Sequence, residues 1–114
     1  MNSENKLEER RCKPCEGGVD KMRRDQAEAL LGQIPGWEIS EEGDSIRRRF
    51  KFPDFYRTMA FVNALAWIAN QEDHHPDFST GYNYCDVTYS THAVDGLSEN
   101  DFICAAQVNA LFPD

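Results

Sequence analysis

The chain has 114 residues, 12 basic and 20 acidic, for a formal charge of −8, with 40% apolar residues and 11% aromatics. That length suits one domain and is too short for a two-domain enzyme with a nucleotide fold. Its longest unbroken apolar run, Ala64 to Ala69, is six residues, far below the roughly 20 needed for a membrane-crossing helix.

The opening stretch, MNSENKLEERRCKPC, is charged and has no apolar core of the kind a secretory signal needs. Residues 1–22, with Pro14 and Gly17-Gly18, read as a poorly ordered N-terminal tail, and 23–114 as the folded domain. A cytoplasmic location with reduced thiols is expected. Cys12 and Cys15 form a CxxC in the tail, while Cys85 and Cys104 lie singly in apolar settings. A structural zinc site usually takes two such pairs, and a thioredoxin-like pair follows a strand and opens a helix. Three readings therefore stay open for Cys12 and Cys15: unremarkable thiols of a mobile tail, part of a metal site, or redox chemistry.

Apolar spacing at Ala27, Leu30, Leu31 and Ile34 predicts a first helix from about Arg24 to Gln33, stopped by Pro35-Gly36. Trp37-Glu38-Ile39 begins a strand, and Glu42-Gly43-Asp44 supplies the turn into a second. There Ile46, Arg48, Phe50 and Phe52 share one face and Arg47, Arg49 and Lys51 the other, so the three consecutive arginines divide between faces. A solvated strand face explains them; a substrate-steering or partner patch is the alternative. Asp54 is the expected N-cap of a long helix from Phe55 to about Gln71. On it, Phe55, Met59, Phe61, Val62, Leu65, Ala66, Ile68 and Ala69 fill an arc of about 180°. Tyr56, Asn63 and Trp67 lie opposite, where an exposed Tyr–Trp pair is either chance or an oligomer contact.

Asp73-His74-His75-Pro76 ends this helix. A short extended stretch from Asp77 to Thr80 and a turn at Gly81-Tyr82-Asn83 lead into a strand from Tyr84 to Thr91. Cys85, Val87, Tyr89 and Thr91 share one face of it; Tyr84, Asp86, Thr88, Ser90 and, if the chain stays extended, His92 share the other. Ser98-Glu99-Asn100-Asp101 resembles a capping box with aspartate in place of glutamate, opening a last helix through Leu111. The order α-β-β-α-β-β-α predicts an α+β domain: a four-stranded antiparallel sheet with three helices packed on one face.

From Phe52 onward the chain holds one basic group, Arg57, against nine acids. Such a half repels phosphate backbones, so no nucleic-acid partner is expected, nor a membrane. No nucleophile elbow and no phosphate-binding glycine loop appears. The chemistry-bearing residues are the three histidines, His74, His75 and His92, all at element boundaries. Three readings of them are open on position alone. A histidine at a helix C-terminus complements the dipole. A three-histidine metal site is disfavoured, because adjacent residues in extended chain point to opposite sides. General acid–base catalysis uses an imidazole that titrates near neutrality.

The stretch from Asp73 to Ala106 resembles the pterin-4a-carbinolamine dehydratase family (4a-hydroxytetrahydrobiopterin dehydratase). It carries a His-His-Pro turn (His74-His75-Pro76), a Tyr-Asn turn (Tyr82-Asn83), a strand ending in Ser90-Thr91-His92, and Gly96-Leu97-Ser98-Glu99-Asn100-Asp101. The likeness reaches back through Ile34-Pro35-Gly36-Trp37 and Phe50 to Phe55, covering roughly residues 23–112. The CxxC tail also resembles those of bacterial members. The resemblance implies that His74, His75 and His92 are catalytic and converge on one pterin, with Asp73, Ser90 and Thr91 lining the site beside them. His75 is expected as the acid at the hydroxyl, His74 and His92 as base and orienting group. A nearby aspartate, Asp73 especially, would raise a histidine's basicity. Asp101 matches the family's aspartate in the final motif; helix capping is its first expected role and support of the site its second. The family often has a glutamate four residues before the first paired histidine, where this chain has Asn70, and Glu72 sits at the wrong helical angle to replace it.

The implied reaction is loss of water from a 4a-hydroxytetrahydropterin to give quinonoid dihydropterin, in tetrahydrobiopterin recycling after an aromatic amino-acid hydroxylase. It needs neither a metal nor a redox cofactor. A homodimer or homotetramer is implied. The alternatives are a non-catalytic protein-binding cofactor (dimerisation factor or transcription coactivator) and a role in molybdopterin metabolism.

Overall fold

A computed structural model describes residues 6–112, with Cys15 and Glu16 as backbone alone. Arg24–Leu30 forms the first helix, its Arg23 N–H donating to Gln26 Oε1 at 2.9 Å. The last residues of the predicted helix, Leu31–Gln33, tighten into a 3₁₀ turn ahead of Pro35. Gly36 has φ +93°, and a Cβ there would lie 2.7 Å from Arg48 Nε. Both facts require glycine where the chain turns into the sheet.

Four strands follow: β1 (Glu38–Ile39), β2 (Ile46–Lys51), β3 (Asp77–Thr80) and β4 (Tyr84–Tyr89). They pair antiparallel throughout in the order β1-β2-β4-β3. The predicted alternation is seen: Ile46, Phe50, Cys85, Val87 and Tyr89 are buried, whereas Arg47, Arg49 and Lys51 face out. Arg49 forms a two-pronged pair with its rung partner Asp86, at 2.7 and 2.8 Å, which holds the Asp86 carboxyl below the usual range. Arg48 turns inward instead, reaching Pro35 O and Asn109 Oδ1, with its guanidinium over the Phe50 ring.

The helices cover the buried face. In the long helix, Phe55–Glu72, Asp54 Oδ1 accepts from the Arg57 N–H at 2.8 Å, as the N-cap prediction requires. The last helix, Glu99–Asn109, starts with the full reciprocal capping box: Asp101 Oδ2 accepts from the Ser98 N–H while Ser98 Oγ accepts from the Asn100 N–H. Between them Phe61, Leu65, Ile68, Phe102, Ile103 and Val108 fill the core against β2 and β4. At one end Trp37, Phe50, Phe52, Phe61 and Phe112 form an aromatic cluster, with ring centroids 4.7 to 6.1 Å apart.

Three expectations are corrected. Phe55 and Ala66, assigned to the buried arc of the long helix, are exposed; Phe55 stacks on Tyr82 at the surface. The buried face takes Thr58 and Glu72 instead, both polar, because each finds partners: Thr58 Oγ1 donates to the carbonyls of Asp54 or Tyr82, and Glu72 receives the N-terminal segment. β4 stops at Tyr89 rather than Thr91. A Thr91–Gly96 bridge closes a short loop there, with Asp95 at φ 56°, so His92 opens a 3₁₀ turn (His92–Val94) instead of prolonging the strand. Residues 6–22, read as tail, lie against the domain. A 3₁₀ turn at Leu7–Glu9 sinks Leu7 into the core at 1% exposure, and a single helical turn follows at Cys15–Gly18. Leu7 is the deepest apolar contact of this otherwise charged stretch.

Candidate active site

The site starts where the long helix ends. Asp73 adopts the left-handed conformation (φ 52°) and the His74 N–H donates back to Ala69 O, so the chain reverses sharply. The next residue drives inward: His74 is 5% exposed. Asp77 pairs with Thr88 in the ladder. Beyond this rung the His74 ring stacks on Tyr89, which brings segments distant in sequence together.

Asp101 joins them. Its carboxylate is fully buried, with Oδ1 2.6 Å from His74 Nε2 and Oδ2 accepting from both Thr91 Oγ1 (2.8 Å) and the Ser98 N–H (3.0 Å). Thr91 spends its one proton on Asp101, so the 2.8 Å contact between Thr91 Oγ1 and Ser98 Oγ is donated by Ser98. An ionised carboxylate only accepts, which makes His74 Nε2 the donor to Oδ1 and leaves Nδ1 as its second polar atom. The imidazole also stacks on Tyr89 at 5.8 Å with an interplanar angle of 6°. A buried ring held on its face and by one nitrogen has a fixed orientation.

His92 and Ser90 lie outside this buried network. They line a cleft of about 340 Å³ with Asp77, Thr88, Thr91, Asp95 and the Asp44-Ser45 turn. His75 is exposed and lines a different hollow, of about 150 Å³, with Leu65, Ala66, Ala69, Asn70, Pro76 and Phe78. His74 is thus tied through Asp101 to Thr91, the neighbour of His92, while His75 opens on a separate hollow. Asp73 is exposed. The carboxylate on His74 is Asp101, not Asp73: its Oδ2 caps the last helix at the Ser98 N–H while Oδ1 meets the His74 ring. Sequence reasoning also passed over Tyr89 as the face of His74, and Asp77 and Asp95 as cleft residues. Tyr89 was within reach of the strand alternation, which places its ring inward beside the strand end.

A family model described as pterin 4 alpha carbinolamine dehydratase matches residues 20–111. The chain belongs to that family. A relative from Nitrosomonas eutropha, named as a candidate pterin-4-alpha-carbinolamine dehydratase, is 58% identical over 106 residues, covering 92% of each chain. One from Xanthomonas campestris pv. campestris, named likewise, is 57% identical, covering 93% of this chain and 90% of its own. Among solved structures, a transcriptional coactivator/pterin dehydratase from Brucella melitensis superposes with a TM-score of 0.79 at 32% identity, over 82% of this chain and all of that one. A pterin dehydratase-like protein identified as a RuBisCO assembly factor in the alpha-carboxysome gives 0.59 at 27% identity, over 67% and 88%. In this member of the dehydratase family, the conspicuous His-His-Pro and Ser-Thr-His segments are the two that meet at Asp101. No helix of the described residues is long and apolar enough to cross a membrane.

Proposed function

We propose that the chain dehydrates 4a-hydroxytetrahydropterins to quinonoid dihydropterins, as a homo-oligomer working in the cytoplasm to recycle the tetrahydrobiopterin oxidised by an aromatic amino-acid hydroxylase. The observation that supports this most is the fixed His74 ring, held by a carboxylate whose other oxygen binds Thr91 next to His92. The substrate carries a hydroxyl on the carbon beside ring nitrogen N5. Its C–O bond breaks as the leaving oxygen takes a proton and the N5 lone pair forms the new double bond to that carbon. A base then removes a proton from the pterin. Imidazoles with an ordinary pKa of about 6.5 serve both duties near neutrality. In this reading His75 protonates the leaving hydroxyl, and His74 and His92 serve as base and orienting group. Asp73, Ser90 and Thr91 complete the pterin contacts, and no metal or redox cofactor takes part.

Stopped-flow measurement of 4a-carbinolamine breakdown tests the proposal. Wild-type protein should accelerate it, and His75→Ala and His92→Ala should each lose roughly 10²–10⁴-fold. Both side chains are exposed, so the folded state of each variant should stay within about 0.5 kcal/mol of wild type. Wild-type rates in either variant remove that histidine from the mechanism.

A non-catalytic, protein-binding role is the second reading, favoured by one surface. Tyr56 is 81% and Trp67 65% exposed on the long helix, and Trp67 borders an apolar hollow of about 440 Å³ with Ala64, Ile68, Ala110 and Leu111. The same surface suits self-association. Trp67→Glu should shift the light-scattering mass toward the monomer with little change in domain unfolding. An unchanged mass would assign the hollow to something other than a second copy. Absence of any acceleration by wild-type protein would leave the protein-binding role in place of catalysis.

A further inference from the structure

The N-terminal segment brings a thiol to a place the pterin chemistry does not use. Cys12 Sγ lies 3.5 Å from Cys104 Sγ, 92 residues away in sequence, and 3.6 Å from Asn100 O. Three buried or half-buried polar side chains clamp the chain on either side of it. Glu72 accepts from the Cys12 N–H and from Arg11 Nε, both at 2.8 Å. Asn100 accepts from the Lys13 N–H and donates to Lys13 O. Gln107 donates to Arg10 O and Glu72 Oε2. This is a built seat for residues 10–13, and it holds the two sulfurs in van der Waals contact. Cys12 is half-buried, within reach of a small reagent, while Cys104 is fully buried.

We propose that Cys12 and Cys104 are a reversible redox pair, closed to an intramolecular disulfide by a low-molecular-weight disulfide and reopened by thiols. A disulfide needs sulfurs about 2.05 Å apart, so they must approach by about 1.5 Å. The surface segment carrying Cys12 supplies that movement. Cys12, as thiolate, attacks one sulfur of the reagent RSSR and expels RS⁻. Cys104 then attacks the Cys12 sulfur of the mixed disulfide; a second RS⁻ leaves and the Cys104 proton goes to it. The sum is two protein thiols plus RSSR giving one protein disulfide plus two RSH: the protein loses two electrons and the reagent gains them. The Cys12 contact and burial favour Cys104 as the neutral thiol, so first attack falls to Cys12, and Cys104 attacks only as its proton passes to the departing RS⁻.

Closure fastens the N-terminal segment to the last helix one turn beyond Asp101. It does so beside the buried Tyr89 side chain, whose hydroxyl lies against Cys104 and whose ring stacks on His74. Oxidation at this seat therefore acts on the rear wall of the histidine site.

The test uses the full chain with oxidised glutathione and counts thiols before and after, with peptides separated by non-reducing mass spectrometry. In Cys15→Ser/Cys85→Ala protein the only remaining thiols are Cys12 and Cys104, and trypsin should release peptide 12–21 joined to peptide 58–114. Adding Cys12→Ser should abolish the joined species. In four-cysteine protein the same pairing should form, cleavage at Arg10 and Arg11 should slow roughly tenfold, and Tm should rise by roughly 5 °C or more. Dithiothreitol should reverse each change. Oxidation that joins Cys12 only to Cys15, that joins two chains, or that leaves all thiols free overturns the proposal. Because the readout is covalent linkage, it stands or falls apart from any pterin activity.

Discussion

Asp101→Asn is expected to lower stability by about 2–4 kcal/mol and to cut carbinolamine dehydration by at least roughly 10²-fold. The asparagine nearly matches the aspartate in shape, so the loss tests polarity rather than packing. Three donors converge on this carboxylate: the His74 Nε2–H, the Thr91 hydroxyl and the Ser98 N–H. An amide offers one acceptor oxygen and a donating NH₂, so where Oδ1 stood the NH₂ either faces the His74 Nε2–H or forces His74 into its other tautomer, in a site with no solvent access. The negative charge at the first turn of the last helix goes as well. Thermal unfolding should report a fall in Tm of roughly 10–20 °C.

The rate and stability effects separate by comparison. Ser98→Ala removes the N-cap oxygen but leaves Asp101 and His74 together, so it should cost about 1 kcal/mol with a much smaller change in rate. Asp101 acts through His74 and is a positioning residue. Its loss should depress kcat more than it raises KM, and the imidazole NMR signals of His74 should move. An unchanged Tm together with an unchanged rate in Asp101→Asn would show that the carboxylate neither holds the ring nor caps the helix.

This residue also marks how far local sequence carries. The capping box at Ser98 and Asp101, the Asp54 cap and the inward alternation of Ile46, Phe50, Cys85, Val87 and Tyr89 are short-range patterns, each visible within a few residues. They suffice for the α+β order and for the one-sided sheet. The His74–Asp101 bond spans 27 residues, and its carboxylate already had a complete local explanation as a cap. Nothing in the spacing announced its second oxygen. Glu72 fails for the same reason: a glutamate near a helix end reads as solvated, and only the arrival of Cys12 and Arg11 from 60 residues upstream explains its burial. β4 ends at Tyr89, short of the predicted Thr91, because the Thr91–Gly96 bridge closes a loop whose geometry depends on backbone at Asp95 rather than on side-chain alternation. The family motifs, by contrast, name the His-His-Pro and Ser-Thr-His segments that come together at Asp101, without disclosing which groups touch there.

Deleting residues 1–13 is expected to destabilise the domain by about 3–5 kcal/mol, a large part of the roughly 5–15 kcal/mol that domains of this kind possess. Leu7 alone accounts for about 1.5–3 kcal/mol through its buried side chain, and Leu7→Ala should reproduce most of that share. The remainder comes from Glu72 and Asn100, which lose the Cys12 N–H, Arg11 and Lys13 partners. Burial by itself raises the Glu72 pKa, but the Cys12 N–H, Gln107, Arg11 and Gln71 outweigh it and hold the carboxyl below the usual glutamate range. A folded-state pKa lower than the unfolded one means that Glu72 adds stability above the ordinary glutamate pKa. That stability is lost as pH falls through the depressed value. Urea midpoints measured from pH 7 down to pH 3 should therefore decline more steeply in wild-type protein than in Glu72→Gln. The 1–13 deletion should flatten this acid limb in part, since it strips the Cys12 N–H and Arg11, two of the groups that lower the pKa. An acid limb equally steep in all three proteins would mean that the N-terminal segment does not hold Glu72 ionised.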